Sequence, residues 1–349
     1  RRKVNDSPPI EMSIPQEALR GKKRNQLFYY NPSGQDRPMT LQNFVRFIGE
    51  DHPLPMASGR ELESHYPTKQ VFIPVNREEV LSSGVVGQED TARIVQAIPL
   101  NLQDKDYMIK DEIAILDIIS TNLWKRPIYF AVTCRQDKLF GLDDYMQLEG
   151  LALRIVPVRT PSDAQYGIIG SGRVNADAVY ENVMDKFRWG NFDKYDMFVD
   201  QSYAPSIQSH QLSMRRAALK LLQDGDKERA LSLIDKYFEV FPNMNFPYDY
   251  RAYYMISVYL QADAYDRAKP HLQILAKEMA DHLAFYNALP PDVLESSYET
   301  DYLLAMRTKD DIMRAAEQNK DDTFSQYLKG LFAPFEIEET ENTPLQDEN

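Results

Sequence analysis

Apolar positions along the chain change their spacing near residue 175, and this change divides the sequence into two parts. Between residues 27 and 160, short β-rich runs alternate with amphipathic helical stretches. From Ala176 onward the spacing is helical, with very little strand signal. The pattern therefore predicts an α+β (or α/β) domain followed by an all-α domain.

Helix-capping residues and a proline determine where the predicted helices of the first part begin and end. Thr40 and Asn76 are suited to cap two helices, because their side-chain oxygens accept hydrogen bonds from the first helical N–H groups. Pro127 ends a longer helix, since proline cannot continue one. Residues 51–67 show no regular pattern. The predicted helices span residues 41–49, 76–81 and 111–123, and the predicted strands span residues 27–30, 70–75, 128–133 and 151–158.

The second part contains two similar segments, and Ala268 follows Ala230 by thirty-eight residues. Small residues at a helix crossing let two helices approach closely, which is the logic of a TPR-like helix-turn-helix pair. Two such repeats are too few for a free-standing solenoid. We therefore expect neighbouring helices to cover them, over residues 176–188, 291–306 and 308–331.

These patterns predict four regions. Residues 1–26 are Pro-rich and polar and are interpreted as an extended connector. Residues 27–175 form the α/β domain, and residues 176–333 form the TPR-like helical domain. Residues 334–349 are interpreted as an acidic disordered tail, because from Phe335 onward six acidic residues occur without a basic one.

Composition excludes several functional classes. The net charge of −13 argues against a nucleic-acid partner, which requires a basic face. No uncharged apolar run is long enough to span a bilayer. Cys134 is the only cysteine, so we expect no internal disulfide. The chain opens on Arg1 without an initiator Met or an apolar signal region, which suggests an excerpt from a longer protein.

The sequence predicts no catalytic residue, no metal site and no cofactor. The five histidines are scattered without the spacing of a metal site, and no nucleotide-binding motif follows a strand. Asp143, Asp144 and Glu149 are a possible acid/base set, as a hydrolase would require. The alternative, which we favour, is that the two aspartates belong to a turn that caps a short helix.

Two groups of residues are candidates for binding. Trp124, Lys125, Arg126 and Tyr129 lie at a helix-to-strand junction and could form an edge for a sugar or an anion. The alternative is that the tryptophan is core and the cations complement the helix C-terminus. The second group, at the second repeat, consists of Tyr250, Tyr253 and Tyr254, which are either core residues or anchors for a protein partner.

Several short strings resemble a known family. They are NLWKRPIYFA at residues 122–131, LRIVP at residues 153–157 and FRWGN at residues 187–191, together with Gly141-Leu142, Tyr145 and Glu149-Gly150. They resemble the C-terminal region of bacterial multi-pass membrane proteins related to the protein O-mannosyltransferase-like family. That family implies a membrane domain of the glycosyltransferase C type, with a lipid-linked sugar donor and acidic catalytic residues in an extracytoplasmic loop.

The resemblance implies that this chain is a non-catalytic, extracytoplasmic (periplasmic) accessory region of such a protein. Its partners would be its own membrane domain and an acceptor protein or peptide held by the helical repeats. The family layout also implies an α/β segment before Arg1, which leaves the completeness of the first domain open. A stand-alone TPR-type interaction scaffold and a soluble hydrolase using Asp143, Asp144 or Glu149 remain alternatives.

Overall fold

The computed structural model describes residues 9–21, 23–55, 61–62 and 64–335. The chain forms two compact units, Arg1–Asn182 and Val183–Asn349. The first unit combines helices with small sheets, and the second is helical. The predicted fold class, an α+β part followed by an all-α part, is thus confirmed.

The first unit is built from short elements. Its strands are β1 (Gln26–Tyr29), β2 (Met39–Thr40), β3 (Leu54–Pro55), β4 (Glu61–Leu62), β5 (His65–Tyr66), β6 (Gln70–Pro74), β7 (Ala97–Asn101), β8 (Tyr107–Ile109), β9 (Tyr129–Ala131), β10 (Met146–Leu148), β11 (Ala152–Ile155) and β12 (Arg173–Val174). Its α-helices are α1 (Gln16–Leu19), α2 (Leu41–Gly49), α3 (Arg77–Ser82), α4 (Lys110–Asn122) and α5 (Ala176–Glu181).

The strands form small mixed sheets rather than one doubly wound sheet. Their orders are β5–β1–β8, β2–β6–β7, β12–β10–β11–β9 and β3–β4. Only the pairs β1–β5, β2–β6 and β10–β12 are parallel among the described strands. The remaining pairs are antiparallel, which supports an α+β rather than an α/β description of this unit.

Helices α2 and α4 pack on each other and form the core of the first unit together with buried strand residues. The predicted apolar face of α2 is buried, and Thr40 caps the helix by accepting a hydrogen bond from the N–H of Asn43. Asn76 caps α3 in the same way. Both predicted N-caps are therefore confirmed. The buried face of α2 consists of Leu41, Phe44, Val45 and Ile48.

The segment predicted as an extended connector contains helix α1 and packs on the first unit where it is described. The buried Asp117 of α4 accepts hydrogen bonds from the N–H and Oγ of Ser13 and from the N–H of Ile14, at 2.7 to 3.1 Å. The buried guanidinium of Arg24 donates to the carbonyls of Ala18 and Ile48 at 2.8 and 2.7 Å. Residues 1–8 of the predicted connector lie outside the described residues.

The sequence analysis predicted only some of the strands of the first unit. β7 escaped prediction because its sequence AIPLN contains Pro99, which cannot donate a ladder hydrogen bond. The structure accommodates Pro99 because β7 is an edge strand, which among the described strands pairs with β6 alone. β5, β8, β10 and β12 are two or three residues long, too short for a recognisable alternation.

The second unit is a set of helices that follows an irregular stretch at residues 187–200. Its α-helices are α6 (Ala204–Gln223), α7 (Lys227–Val240), α8 (Tyr250–Gln261), α9 (Tyr265–Asn287), α10 (Pro291–Val293), α11 (Glu299–Gln318) and α12 (Asp322–Phe332). α6 packs on α7, α8 on α9, and α11 on α12, while α8 also contacts α6 and α11.

Three helical hairpins turn in the same way. A left-handed residue follows the last residue of α6, α8 and α11 by two positions, and it is Gly225, Asp263 or Lys320. The next residue then donates its N–H to a carbonyl five residues earlier, at 2.9 to 3.0 Å, in all three turns. This is the Schellman end, which satisfies carbonyls at a helix C-terminus. The sequence pattern revealed the first two hairpins and not the third.

Some predicted bounds in the second unit were wrong. The helices predicted over residues 291–306 and 308–331 are in fact α10 to α12, and the break falls after Gln318 rather than at residue 307. The cause is the Schellman turn at Lys320, a residue without the turn preference of glycine. Helix α5, grouped by its pattern with the helical domain, lies in the first unit. Residues 336–349 of the predicted acidic tail lie outside the described residues.

Candidate functional site

The helix-to-strand junction places Trp124 as a packing residue. It follows the end of α4 with a left-handed φ of 70°, and its ring packs against a buried cluster formed by Val80, Val85 and Val156. The indole Nε1 is buried and has no hydrogen-bond partner among the described residues. The contacts therefore fit the packing alternative for this tryptophan better than an exposed stacking surface.

Lys125 and Arg126 are directed toward the N-terminal segment. The Nζ of Lys125 lies 3.9 Å from the carboxylate of Glu11, and both groups are exposed. The Nη1 of Arg126 donates to the carbonyl of Pro9 at 3.1 Å. The N–H groups of both residues donate to the carbonyl of Asn122, so the two cations lie on the turn that closes α4.

Tyr129 belongs to a different arrangement, a row of polar residues across the sheet β12–β10–β11–β9. The register pairs Tyr129 with Arg154, Arg154 with Gln147, and Gln147 with Arg173. The hydroxyl of Tyr129 donates to Glu149 at 2.8 Å, and the guanidinium of Arg154 lies 6.0 Å from the tyrosine ring centre. Partial burial, and then the hydrogen bond to Glu149, raise the pKa of Tyr129.

The three candidate carboxylates of a hydrolase have separate partners. Asp144 accepts hydrogen bonds from the N–H and Oγ of Ser162 at 3.0 and 3.1 Å, and Asp143 accepts one from Gln136 at 2.9 Å. Glu149 accepts from Tyr129 and Gln147. Each carboxylate thus ties together neighbouring loop or strand segments. Asp143 and Asp144 lie within a short 3-10 turn, Leu142–Tyr145, which leads directly into β10 and whose N-cap residue, Gly141, supplies no side-chain cap.

The predicted tyrosines of the second unit divide into two classes. The hydroxyl of Tyr253 donates to the carbonyl of Asp311 at 3.2 Å, so this residue links α8 to α11. Tyr250 and Tyr254 lie one helical turn apart, with ring centres 6.2 Å apart in an edge-on arrangement. Tyr254 is 44% exposed. These two rings form an aromatic surface on α8.

Two arginines that the sequence analysis missed complete this surface. The guanidinium of Arg215 on α6 lies 5.3 Å from the ring centre of Tyr254, and its Nε donates to the carbonyl of Tyr254 at 3.1 Å. The guanidinium of Arg251 lies 5.0 Å from the ring of Tyr250. Only the packing of α6 on α8 brings Arg215 to this place, so no local signal could reveal it. We call Tyr250, Tyr254, Arg215 and Arg251 the α8 surface.

His271 is half-buried and packs against aromatic residues of the second unit. Its ring stacks on Phe238 with 3.7 Å between ring centres, and its Nδ1 lies 3.0 Å from the hydroxyl of Tyr248. Burial lowers the pKa of His271 to about 4, although the charge of Asp235 opposes this shift. The imidazole is therefore neutral at physiological pH and serves as a flat packing group.

The described part of the chain offers no group of three metal-binding side chains. Within the same residues, none of the helices has both the length and the apolar character needed to cross a bilayer.

Comparison with known proteins identifies the first unit. The family model for TMEM260-associated domain 2 matches residues 1–178, which is just over half of the chain. No curated protein and no solved structure matches. The match relates the chain to a membrane protein, as the resemblance implied, but it names neither the O-mannosyltransferase-like family nor TPR repeats. This chain therefore belongs to the TMEM260-associated domain 2 family.

Proposed function

We propose that this chain is a non-catalytic accessory region of a TMEM260-type membrane protein and that its helical unit binds a protein partner. Support for the first part comes from the family match over residues 1–178. TMEM260-like proteins are glycosyltransferase-like, so the partner we propose is an acceptor polypeptide. In this proposal the region works on the extracytoplasmic side, next to its own membrane domain.

The observation that carries the binding proposal is the α8 surface. Tyr254 remains 44% exposed on a helix on which Met255, Ile256 and Tyr259 are buried. Aromatic and arginine side chains anchor many protein interfaces, because they combine a large contact area with hydrogen-bonding groups. The three similar hairpins also favour a TPR-like mode, in which neighbouring helices present one face to an extended peptide.

The test uses the full-length protein in its native membrane. A photo-reactive phenylalanine analogue is placed at position 254, and proteins cross-linked to it are identified by mass spectrometry. Position 327 is the matched control, because Tyr327 on α12 is 43% exposed but does not belong to the α8 surface. We expect the same polypeptide to be captured repeatedly from position 254 and not from position 327.

A functional measurement accompanies the cross-linking. In a strain carrying Tyr254→Ala, the captured polypeptide should carry at least about ten-fold less sugar, since loss of one interface anchor commonly weakens binding by that factor or more. Tyr327→Ala should leave the sugar content unchanged. An unaltered sugar content in the Tyr254→Ala strain would contradict the proposal.

A further inference from the structure

An irregular segment before α6 is fixed at its base by one side chain. The side chain of Asn245 is buried, and its Nδ2 donates to the carbonyls of Phe192 and Tyr195 at 2.6 and 2.7 Å. Its Oδ1 accepts the N–H of Met197 at 2.8 Å. Because three backbone groups are held by one buried amide, the path of the chain here is defined. We call residues 192–203 the aromatic segment.

The aromatic segment exposes its large side chains instead of burying them. Phe198 is 92% exposed, Tyr195 is 62% exposed and Tyr203 is 57% exposed. An apolar environment is available nearby, since the ring of Phe192 packs edge-on against Phe246 with 4.9 Å between ring centres. The exposure of the other three rings is therefore not explained by a lack of neighbouring core.

Exposed aromatic rings on a fixed backbone are typical of a contact surface. Tyrosine and related amphipathic rings are enriched at the membrane–water interface, where an apolar ring and a polar edge are both satisfied. The charges of the segment are Asp193, Lys194, Asp196 and Asp200, and the whole chain has a net charge of −13. An anionic surface would repel this chain, so the charge favours a surface without net charge.

We propose that the aromatic segment contacts the zwitterionic surface of a membrane, with Phe198, Tyr195 and Tyr203 entering the headgroup region. Asn245 holds the backbone of residues 192–197, so this part of the segment needs no ordering step on binding. The membership of the chain in a domain family associated with a membrane protein places such a surface within reach. This inference goes beyond the protein partner of the α8 surface and does not depend on it.

The first experiment measures flotation of the 349-residue chain with vesicles of phosphatidylcholine. We expect the chain to partition onto them, and the triple variant Tyr195→Ala/Phe198→Ala/Tyr203→Ala to partition at least about ten-fold more weakly. Burial of even one large aromatic side chain is worth about that factor. The control variant Phe285→Ala/Tyr327→Ala removes exposed rings elsewhere in the helical unit and should partition like the unmodified chain.

A second measurement reports on Phe198 itself. The variant Phe198→Trp should show a blue shift of its added fluorescence when phosphatidylcholine vesicles are present, because the indole leaves water. Absence of vesicle binding by the unmodified chain, equal binding by the triple variant, or no shift for Phe198→Trp would overturn the proposal.

Two further outcomes would also contradict contact of the aromatic rings with a zwitterionic membrane. Stronger binding to phosphatidylglycerol vesicles would indicate adsorption of cations instead of aromatic contact, and would also overturn the proposal. Self-association of the chain that disappears in the triple variant, without vesicle binding, would assign the segment to a second copy of the chain.

Discussion

At the scale of single residues, the first unit contains a buried carboxylate that is surrounded by hydrogen-bond donors. The carboxylate of Asp117 is fully buried and accepts hydrogen bonds from Ser13, Ile14 and Thr121. A buried carboxylate is tolerated when donors surround it, because they replace the water it has lost. The same donors would be left without an acceptor if the carboxylate were changed.

Asp117→Asn should destabilise the first unit by about 2–4 kcal/mol. The amide presents an NH₂ group to N–H donors, so it loses hydrogen bonds and leaves donors buried without acceptors. Urea unfolding followed by circular dichroism measures the change. Asp104→Asn, at an exposed position, is the control and should stay within about 0.5 kcal/mol of the unmodified chain. A similarly small effect of Asp117→Asn would contradict this account.

His271 makes the stability of the second unit depend on pH. Its folded pKa of about 4 lies below the unfolded value of 6.5, so its contribution is complete above pH 6.5 and is lost as the pH falls toward 4. Allowing for partial solvent screening, the loss by pH 5 should be about 1–2 kcal/mol.

The variant His271→Phe keeps a ring to stack on Phe238 but cannot be protonated. Between pH 7 and pH 5, the free energy of unfolding of this variant should therefore fall by about 1–2 kcal/mol less than that of the unmodified chain. Thermal unfolding at several pH values tests this expectation, with His282→Phe on the same helix as the control. Equal pH dependence of the unmodified chain and His271→Phe would show that protonation of this ring does not drive the loss.

At the scale of elements, the turns between helices and the small residues at helix crossings determine how the helical unit packs. Asp226 and Asp321 cap the helices that follow two of the Schellman turns, each accepting a hydrogen bond from a backbone N–H three residues later. Ala230 and Ala268, predicted at helix crossings, are both completely buried. Short side chains at these positions let the paired helices approach closely.

Ala268→Leu should destabilise the second unit by about 1–3 kcal/mol, because a larger side chain in a filled position forces neighbouring helices apart. Ala284→Leu is a matched control, since Ala284 lies on the same helix α9 but is exposed. We expect the control to unfold at nearly the same urea concentration as the unmodified chain. Equal midpoints for the two variants would show that the crossing is not tightly packed.

Prediction of elements from the sequence succeeded where a cap or a long apolar period existed. The predicted bounds of α2 agree with the observed ones, and those of α4 differ by one residue at each end. The left-handed turn at Lys320 was missed, because lysine has no intrinsic preference for that conformation and adopts it only when the flanking helices require it. β7 was missed because an edge strand tolerates a proline that a central strand would not.

At the scale of the whole molecule, the chain combines a family-defined α+β unit with a helical unit. The family match covers residues 1–178, whereas both surfaces that we propose for binding lie beyond that range. The family therefore informs the context in which the chain works, while the proposed contacts come from the helical unit alone.

The sequence by itself determined the fold class, the helix caps and the small residues at helix crossings, because these depend on local propensity and on the period of apolar positions. Tertiary structure alone decided which polar residues meet. Arg215 reaches Tyr254, Ser13 reaches Asp117, and Asn245 reaches Phe192 across 39 to 104 residues of chain. Such pairs depend on how distant elements pack against each other, and no period or motif in a single sequence indicates that packing.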